Sequence, residues 1–358
     1  MYDVDKISFY PEVLDSLKRT GQGRLLTVHL MPQNLCNQHC SFCSYRMPEN
    51  KNSENFNENS YIPPQHLHAL FDDFMELGVE GIEVTGGGEP LAYPYSDDLW
   101  GGLRRTGIAT ALVTNGTLLD RHYEKIRETN LKWLRVSIDA ANSDTYSIMR
   151  KTSKRQFFKA WEGVKRVADN PPISDEFRLG VGFTQSNENM YEVYDFVGQA
   201  KDAGADNVRL SLTFSDKHLD YFKDHKALAY AMDDSIRAEH DFGGKDFKVI
   251  NLMPQRYNET VNAFQNYPKC HTKDVLCVVE GEGKVYTCCT FTGSKSGYYG
   301  NFIDYPGGFK ALWGDKAQWR SSFDPRKSCQ VACLYEQRNL KMLELVENYE
   351  PKIHKEFI

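Results

Sequence analysis

The sequence lacks several features that would place the protein in a membrane, in a secretory route or on a nucleic acid. It has no run of about 18 apolar residues, so no membrane-spanning helix is expected. The first six residues lack the basic-then-apolar order of a secretory signal. The net charge is −6, which gives no basic footprint for nucleic acid. We therefore expect a cytoplasmic protein without a membrane or nucleic-acid partner.

Cysteine is present in an odd number, nine residues, which favours metal or redox use over a set of disulfides. Cys36, Cys40 and Cys43 follow the apolar run 25–31 with the spacing C-x3-C-x2-C. Three thiolates this close need a shared positive partner, because they would otherwise repel and take up protons. Zinc normally takes four ligands, whereas three cysteines can hold a cubane iron–sulfur cluster with one iron open. The spacing favours iron–sulfur, with zinc or unliganded thiols as alternatives.

Strand-like and helix-like segments alternate through the first 215 residues. The predicted strands are 25–31, 81–85, 108–114, 131–138, 177–183 and 207–212. Helical patterns separate them, for example at 63–77, 119–129, 155–168 and 189–203. This alternation predicts a parallel sheet, and six units are fewer than the eight of a closed barrel. We expect an α/β fold with an open, partial (β/α)6 barrel.

Polar motifs follow the predicted strands, where the chemistry of such folds lies. After the second strand, Gly86-Gly87-Gly88-Glu89-Pro90 offers close backbone approach and a carboxylate for a ligand ammonium. Thr114-Asn115-Gly116 follows the third strand, and Ser137-Ile138-Asp139 ends the fourth, with Arg150 further on. Read singly, these motifs also fit a glycine turn, helix caps and a surface ion pair. Their convergence favours a ligand site.

The cysteine spacing, with Phe42 before the last cysteine, resembles that of the radical S-adenosylmethionine (SAM) enzymes, and Gly87-Gly88-Glu89-Pro90 resembles their GGEP motif. The resemblance implies that Cys36, Cys40 and Cys43 hold a 4Fe–4S cluster whose open iron binds SAM. It also implies cleavage of SAM to methionine and a 5′-deoxyadenosyl radical, with a flavodoxin- or ferredoxin-type electron donor. The SAM contacts implied are Phe42, Gly87, Gly88, Glu89, Thr114, Asn115, Ser137, Asp139 and Arg150.

A second cysteine set lies near the carboxyl end. Cys270 precedes a predicted hairpin whose turn is at 280–283, Cys288 ends it, and Cys329 and Cys333 follow. Four such thiolates would fully ligate a second cluster or a zinc ion. The segment resembles the twitch domain, a shortened SPASM domain that carries an auxiliary 4Fe–4S cluster. The closing pair is spaced C-x3-C here, against a frequent C-x2-C, so Cys277 or Cys289 could substitute as a ligand.

The division of the chain follows from these motifs. We expect a lead-in at 1–24, the partial barrel at 25–215, a linker and barrel-closing segment at 216–269, the auxiliary domain at 270–340, and a carboxyl-terminal helix or tail at 341–358. The Asn-rich segment 47–60 fits either a solvated loop or a lid.

The resemblance leaves the reaction open. The favoured hypothesis is oxidation of a hydroxyl of a sugar, aminosugar or cyclitol, with the auxiliary cluster accepting an electron. No recognition domain for a long peptide is expected before the barrel. An epimerase or peptide-modifying enzyme, with Cys277 or Cys289 as hydrogen donor, is the alternative, and a non-enzymatic metal scaffold or electron carrier is the third. Candidate substrate contacts are His29, Gln185, Arg209 and Ser211.

Overall fold

The computed structural model describes residues 4–174, 176–261, 265–329 and 333–350. Its strands form one ten-stranded sheet in the order β10-β9-β8-β1-β2-β3-β4-β5-β6-β7. The strands are β1 Thr27–Leu30, β2 Gly81–Val84, β3 Ala109–Thr114, β4 Leu131–Ser137, β5 Arg178–Gln185, β6 Asn207–Leu212, β7 Lys248–Asn251, β8 Leu276–Val279, β9 Lys284–Tyr286 and β10 Tyr298–Asn301. The outermost strands, β7 and β10, are not paired with each other among the described residues, so the sheet is open.

Helices separate the parallel strands as the sequence predicts. They are α1 Pro11–Thr20, α2 Pro64–Glu76, α3 Ser96–Thr106, α4 Leu119–Ile126, α5 Ser143–Arg150, α6 Lys154–Asp169, α7 Val193–Asp202, α8 His225–Phe242, α9 Met253–Val261, α10 Thr272–Val275, α11 Gly308–Asp315, α12 Ala317–Ser322, α13 Pro325–Ser328 and α14 Glu336–Glu347. Short 3-10 turns complete the connections. Within the described ranges, none of these helices has the length and apolar character needed to cross a membrane.

The predicted partial α/β barrel is confirmed, and two more parallel strands extend it. β1 to β6 pair in chain order, and β7 adds to β6 beyond the six predicted units. β8 pairs in parallel with β1, while β9 and β10 continue antiparallel. The hairpin that carries the second cysteine set is therefore continuous with the barrel sheet. The division into 1–24, 25–215, 216–269, 270–340 and 341–358 stays a prediction, and residues 351–358 lie outside the described part.

The main core lies between the sheet and its helices. On β1, Val28 and Leu30 are buried in this core, while His29 faces the inner side of the barrel and is half-buried. β8 follows the same period of two, because its residues pair in register with those of β1. This alternation decides which side chains of β1 and β8 reach the barrel interior.

Candidate functional site

The predicted cluster loop follows β1 and is held by the end of α5. Ser41 N–H donates to Met149 O at 2.7 Å, and His39 N–H donates to Arg150 O at 3.1 Å. The three cysteines of the loop, Cys36, Cys40 and Cys43, are half-buried. Burial raises the pKa of Cys36 to about 12 and that of Cys40 to about 11. These thiols therefore need a positive partner to ionise together.

The opposite side of the loop packs on the glycine-rich turn after β2. Glu89 N–H donates to Leu35 O at 2.9 Å. A Cβ atom at Gly88 would lie 2.1 Å from Leu35 O, and one at Gly87 would lie 2.4 Å from Phe56 Cε2. Gly88 leaves room for the backbone of the cluster loop, and Gly87 leaves room for the Phe56 side chain.

The carboxylate of Glu89 joins the ends of β2 and β3. Its Oε1 accepts from Thr114 Oγ1 at 2.6 Å and from Leu91 N at 3.0 Å, and its Oε2 accepts from Asn115 N at 2.8 Å. Burial raises the pKa of Glu89, and these donors oppose that shift. Asn115 Nδ2 donates to Asn37 Oδ1 at 2.8 Å, which ties this junction to the cluster loop.

Arg150 is buried, with 3% of its surface exposed, and its guanidinium contacts several parts of the site. Its guanidinium donates to Gln38 Oε1 at 2.7 Å and to Ser137 O at 2.8 Å, and it pairs with the Asp139 carboxylate. Its Nη1 also lies 3.8 Å from Cys40 Sγ. This burial excludes the surface ion pair considered from the sequence.

Burial opposes the charge of Arg150, yet the neighbouring Cys40 and Asp139 together raise its pKa. Asp139 has φ 64°, a left-handed conformation that Asp tolerates better than most residues. Its Oδ1 accepts from Thr184 N at 2.7 Å, and Ser137 Oγ donates to its Oδ2 at 2.9 Å. The Ser137, Asp139 and Arg150 motif thus fixes the end of β4 against the cluster loop. Phe42 lies beside it, with its ring centroid 5.7 Å from the Arg150 guanidinium carbon.

The second cysteine set lines one cavity. Cys270, Cys288, Cys329 and Cys333 all line it, together with Tyr335. Burial raises the pKa of all four thiols, that of Cys333 to about 12. Four thiols from separate segments that meet in one cavity fit a fully ligated 4Fe–4S cluster.

Across the described ranges, no three His, Cys, Asp or Glu side chains gather around one point as the ligands of a single ion would. The thiolates of a cubane bind different irons and need no common point.

Cys277 and Cys289 lie on different sides of the sheet. Cys277 pairs in register with Val28, and both are fully buried in the main core. Cys289 packs instead on a small cluster of the inner side, with Tyr45. Its Sγ lies 3.4 Å from Tyr335 Oη, a side chain of the second cysteine cavity.

Of the candidate substrate contacts, His29 has the most defined surroundings. Its Nε2 lies 3.5 Å from Glu83 Oε2, and its Nδ1 lies 3.5 Å from Tyr335 Oη. Burial lowers the pKa of His29, which favours the neutral imidazole. A neutral imidazole has one ring nitrogen that accepts a hydrogen bond and one that donates.

The remaining candidate substrate contacts differ in how far they are buried and in what they contact. Arg209 is half-buried and pairs in register with Gly182 of β5, next to Ser137 of β4. Ser211 is buried, with its hydroxyl 3.5 Å from Leu212 O. Gln185 is fully buried and donates to Asn189 Oδ1 at 2.8 Å.

The Asn-rich segment 47–60 is anchored by its own side chains. Asn52 Nδ2 donates to Cys289 O at 2.9 Å, and Asn55 Nδ2 donates to Gly293 O at 2.9 Å. Asn50 binds the loop after β6 through Phe214 O at 3.3 Å. These amides tie the segment to the residues that follow β6 and β9, so it packs on the fold, whereas its role as a lid stays a prediction.

Sequence reasoning missed Arg46, which contacts the cluster loop and the glycine turn at once. Its Nη1 lies 3.7 Å from Cys43 Sγ and donates to Gly87 O at 3.2 Å. Its position three residues after the last cysteine was the available signal.

Comparison with known proteins agrees with this geometry. A sequence model of the radical SAM superfamily matches residues 30–197. A probable GTP 3′,8-cyclase of Methanocaldococcus jannaschii is 25% identical over 173 residues, which cover 48% of this chain and 54% of the relative. An S-adenosylmethionine-dependent nucleotide dehydratase of Flammeovirga pacifica is 25% identical over 192 residues, covering 51% and 61%. The chain thus matches little more than half the length of these relatives.

The overall fold has counterparts among solved structures. Streptococcus suis SuiB, crystallised with its precursor peptide SuiA, has a TM-score of 0.62 and 15% identity. The match covers 92% of this chain and 76% of SuiB. The predicted family is confirmed for residues 30–197, which match the radical SAM superfamily, a family that uses a 4Fe–4S cluster and SAM.

Proposed function

We propose that the protein is a radical SAM oxidoreductase that oxidises a hydroxyl of a sugar, aminosugar or cyclitol. In this proposal one cluster is bound by Cys36, Cys40 and Cys43. A second cluster is bound by Cys270, Cys288, Cys329 and Cys333. When bound, the first cluster supplies the electron that splits SAM into methionine and the hydrogen-abstracting 5′-deoxyadenosyl radical, and the second accepts the electron left on the substrate. The hydroxyl proton must leave as well, so the product is a carbonyl.

The observation that carries this proposal is the single cavity shared by four cysteines. Four ligands leave no iron open for SAM, which favours an electron-transfer role for the second site. Burial raises the pKa of each thiol, so the four thiolates need the positive charge of iron to coexist.

The residues at the strand ends have separate tasks in this proposal. The Glu89 carboxylate, fixed by Thr114 and Asn115, receives the SAM ammonium. Gly87 and Gly88 keep the backbone close enough for the bound SAM to lie along it. Segment 47–60 excludes water from the radical by covering the site.

His29 is the proposed acceptor of the substrate hydroxyl proton. Its lowered pKa keeps the imidazole neutral, and Glu83 at 3.5 Å stabilises the imidazolium that forms. Arg209 and Ser211 are proposed to contact the substrate on the other wall of the barrel.

Several substrate classes should be screened. The relatives named above act on GTP and on nucleotides by their names, and SuiB binds a peptide. Polyols and aminosugars should therefore be tested beside nucleotides and peptides.

The first experiment measures iron and sulfide in the anaerobically prepared protein, and 5′-deoxyadenosine after SAM and a reductant are added. About eight irons per chain with 5′-deoxyadenosine would support both sites. Turnover of a peptide, with no carbonyl product from any polyol or aminosugar, would reject the substrate proposal. Zinc in place of iron would reject the whole function.

A second candidate function is an epimerase or peptide-modifying enzyme, and the place of Cys289 favours it. A thiol on the inner side could return a hydrogen atom to a substrate radical, and Cys289 lies there with Tyr45. Cys277 lies in the core on the other side, so it is left out of this candidate.

A further inference from the structure

Arg46 joins three parts of the candidate site that are distant in sequence. Its Nη1 lies 3.7 Å from Cys43 Sγ, within reach of an N–H···S hydrogen bond. The same guanidinium donates to Gly87 O at 3.2 Å and to Asn34 O at 3.0 Å. One planar fork thus links the cluster loop with the turn proposed to hold SAM.

The segment 47–60 fixes the orientation of this fork. Arg46 Nε lies 3.2 Å from Glu58 Oε2, and the guanidinium carbon lies 5.4 Å from the Phe56 ring centroid. Phe56 stacks in turn on Tyr45 at 5.2 Å. Only 12% of the Arg46 side chain is exposed, so water screens its charge weakly.

The contact with sulfur is charge-assisted. An arginine donates from a permanent positive charge, and such hydrogen bonds are stronger than neutral ones. Hydrogen bonds to cluster sulfurs and local charge set the reduction potential of an iron–sulfur cluster. A cation beside Cys43 stabilises the reduced cluster, because reduction adds a negative charge.

We infer that Arg46 is a positioning residue that donates to the Cys43 thiolate and raises the reduction potential of the cluster at Cys36, Cys40 and Cys43. The inference rests on the proposed cluster at these cysteines. Arg46 thereby eases delivery of the electron from the donor protein to the cluster. Its contact with Gly87 O places the same fork beside the proposed SAM turn.

A purely structural brace is the competing explanation, because Arg46 also binds two backbone carbonyls. A brace would affect folding and iron loading, yet it would leave the potential of a loaded cluster unchanged. The reduction potential of the loaded cluster therefore separates the two explanations, whereas enzyme activity does not.

The test is a redox titration of the SAM-free cluster, followed by electron paramagnetic resonance, in the wild type, Arg46→Met and Arg46→Lys. The matched control is Arg19→Met, whose arginine is 63% exposed and ion-paired with Asp15 on α1. Iron content is measured in every sample, so that only equally loaded proteins are compared.

We expect a more negative midpoint potential in Arg46→Met, partial recovery in Arg46→Lys and no shift in Arg19→Met. An unchanged midpoint in fully loaded Arg46→Met would overturn the inference. If Arg46→Met fails to hold iron, Arg46→Lys carries the test, because a lysine ammonium keeps the charge but lacks the planar fork. Its midpoint should lie below that of the wild type, and an unchanged midpoint in fully loaded Arg46→Lys would overturn the inference. A wild type without any cluster signal would instead refute the proposed function.

Discussion

The thiol of Cys289 lies 3.4 Å from the hydroxyl of Tyr335, and that hydroxyl lies 3.5 Å from Nδ1 of His29. Tyr335 also lines the cavity of the second cysteine set. Tyr335 therefore contacts His29 of the barrel interior and also lines the proposed auxiliary site.

Replacing Cys289 by alanine separates oxidation from epimerisation. For a hydroxyl oxidation, Cys289→Ala should lower product formation by less than about tenfold, or about 1.4 kcal/mol of transition-state stabilisation, because Cys289 reaches His29 only through Tyr335. An epimerase would lose its product and still form 5′-deoxyadenosine. The reaction product and 5′-deoxyadenosine are measured in one assay, with Cys277→Ala as the matched control.

Removing one ligand of the second set should halve the metal content. Cys329→Ala and Cys333→Ala should each lower iron from about eight to about four atoms per chain, because this cluster is proposed to have a cysteine on every iron and each variant leaves one iron without its ligand. SAM cleavage should persist, since the first three cysteines are intact. Cys289→Ala should keep about eight irons, and a loss in that variant would make Cys289 a ligand.

Breaking the buried pair at the end of β4 should destabilise the fold. Asp139→Ala leaves the Arg150 guanidinium buried without its carboxylate, a change that costs about 3 to 5 kcal/mol. Urea unfolding of the metal-free protein measures this loss. The control Glu128→Ala removes an exposed partner of Arg104 and should cost below about 1 kcal/mol. Equal losses in the two variants would show that Arg150 finds another partner.

The glycine turn should not tolerate a methyl group. Gly88→Ala would bring a Cβ atom to 2.1 Å from Leu35 O, so the cluster loop must shift, at a cost of about 1 to 3 kcal/mol. Iron retention and SAM binding should fall in parallel. Gly101→Ala in α3 is the matched control, because its Cβ would meet no described atom within 4 Å. Gly101→Ala should raise the free energy of unfolding by about 0.5 to 1 kcal/mol, because alanine favours a helix more than glycine does. Unchanged SAM binding in Gly88→Ala would contradict the proposed contact.

Glu280 should make stability depend on pH. Burial, opposed by Lys284 at 3.7 Å, raises the pKa of this carboxyl from 4.5 to about 7. Between these values the folded state binds more protons than the unfolded state, so stability falls as pH rises through this range.

The variant Glu280→Gln removes this titration. It should match the wild type near pH 4.5 and exceed its unfolding free energy by up to about 3 kcal/mol above pH 7. Urea unfolding of the metal-free protein across this range measures the difference. A constant difference between the two proteins would show that Glu280 titrates normally.

The candidate site was predictable where its signals are local. The C-x3-C-x2-C spacing, the glycines before Glu89 and the Ser137-x-Asp139 motif each lie within a few residues. Parallel strands bring their carboxyl ends to one edge, so the sequence also predicted that these motifs meet. The structure gives the reason for two of the glycines, since Gly88 contacts the backbone of the cluster loop and Gly87 contacts the Phe56 ring.

Other features were decided by tertiary structure. Arg46 was missed because its partners, Gly87 and Glu58, lie far from it along the chain and no pattern links them. The pairing of β8 with β1 was not predictable either, since a four-residue strand carries no signal for its partner.

The sequence by itself determined the family, the alternation of strands and helices, and the cysteines available to the clusters. Only the tertiary structure decided which leftover thiol faces the interior. The register of β8 on β1 turns Cys277 toward the core, because successive side chains of a strand point to opposite faces. The packing of the segment after β9 brings Cys289 to the other side, against Tyr335. Such placements depend on long-range pairing, whose free energy is distributed over contacts that no local motif encodes.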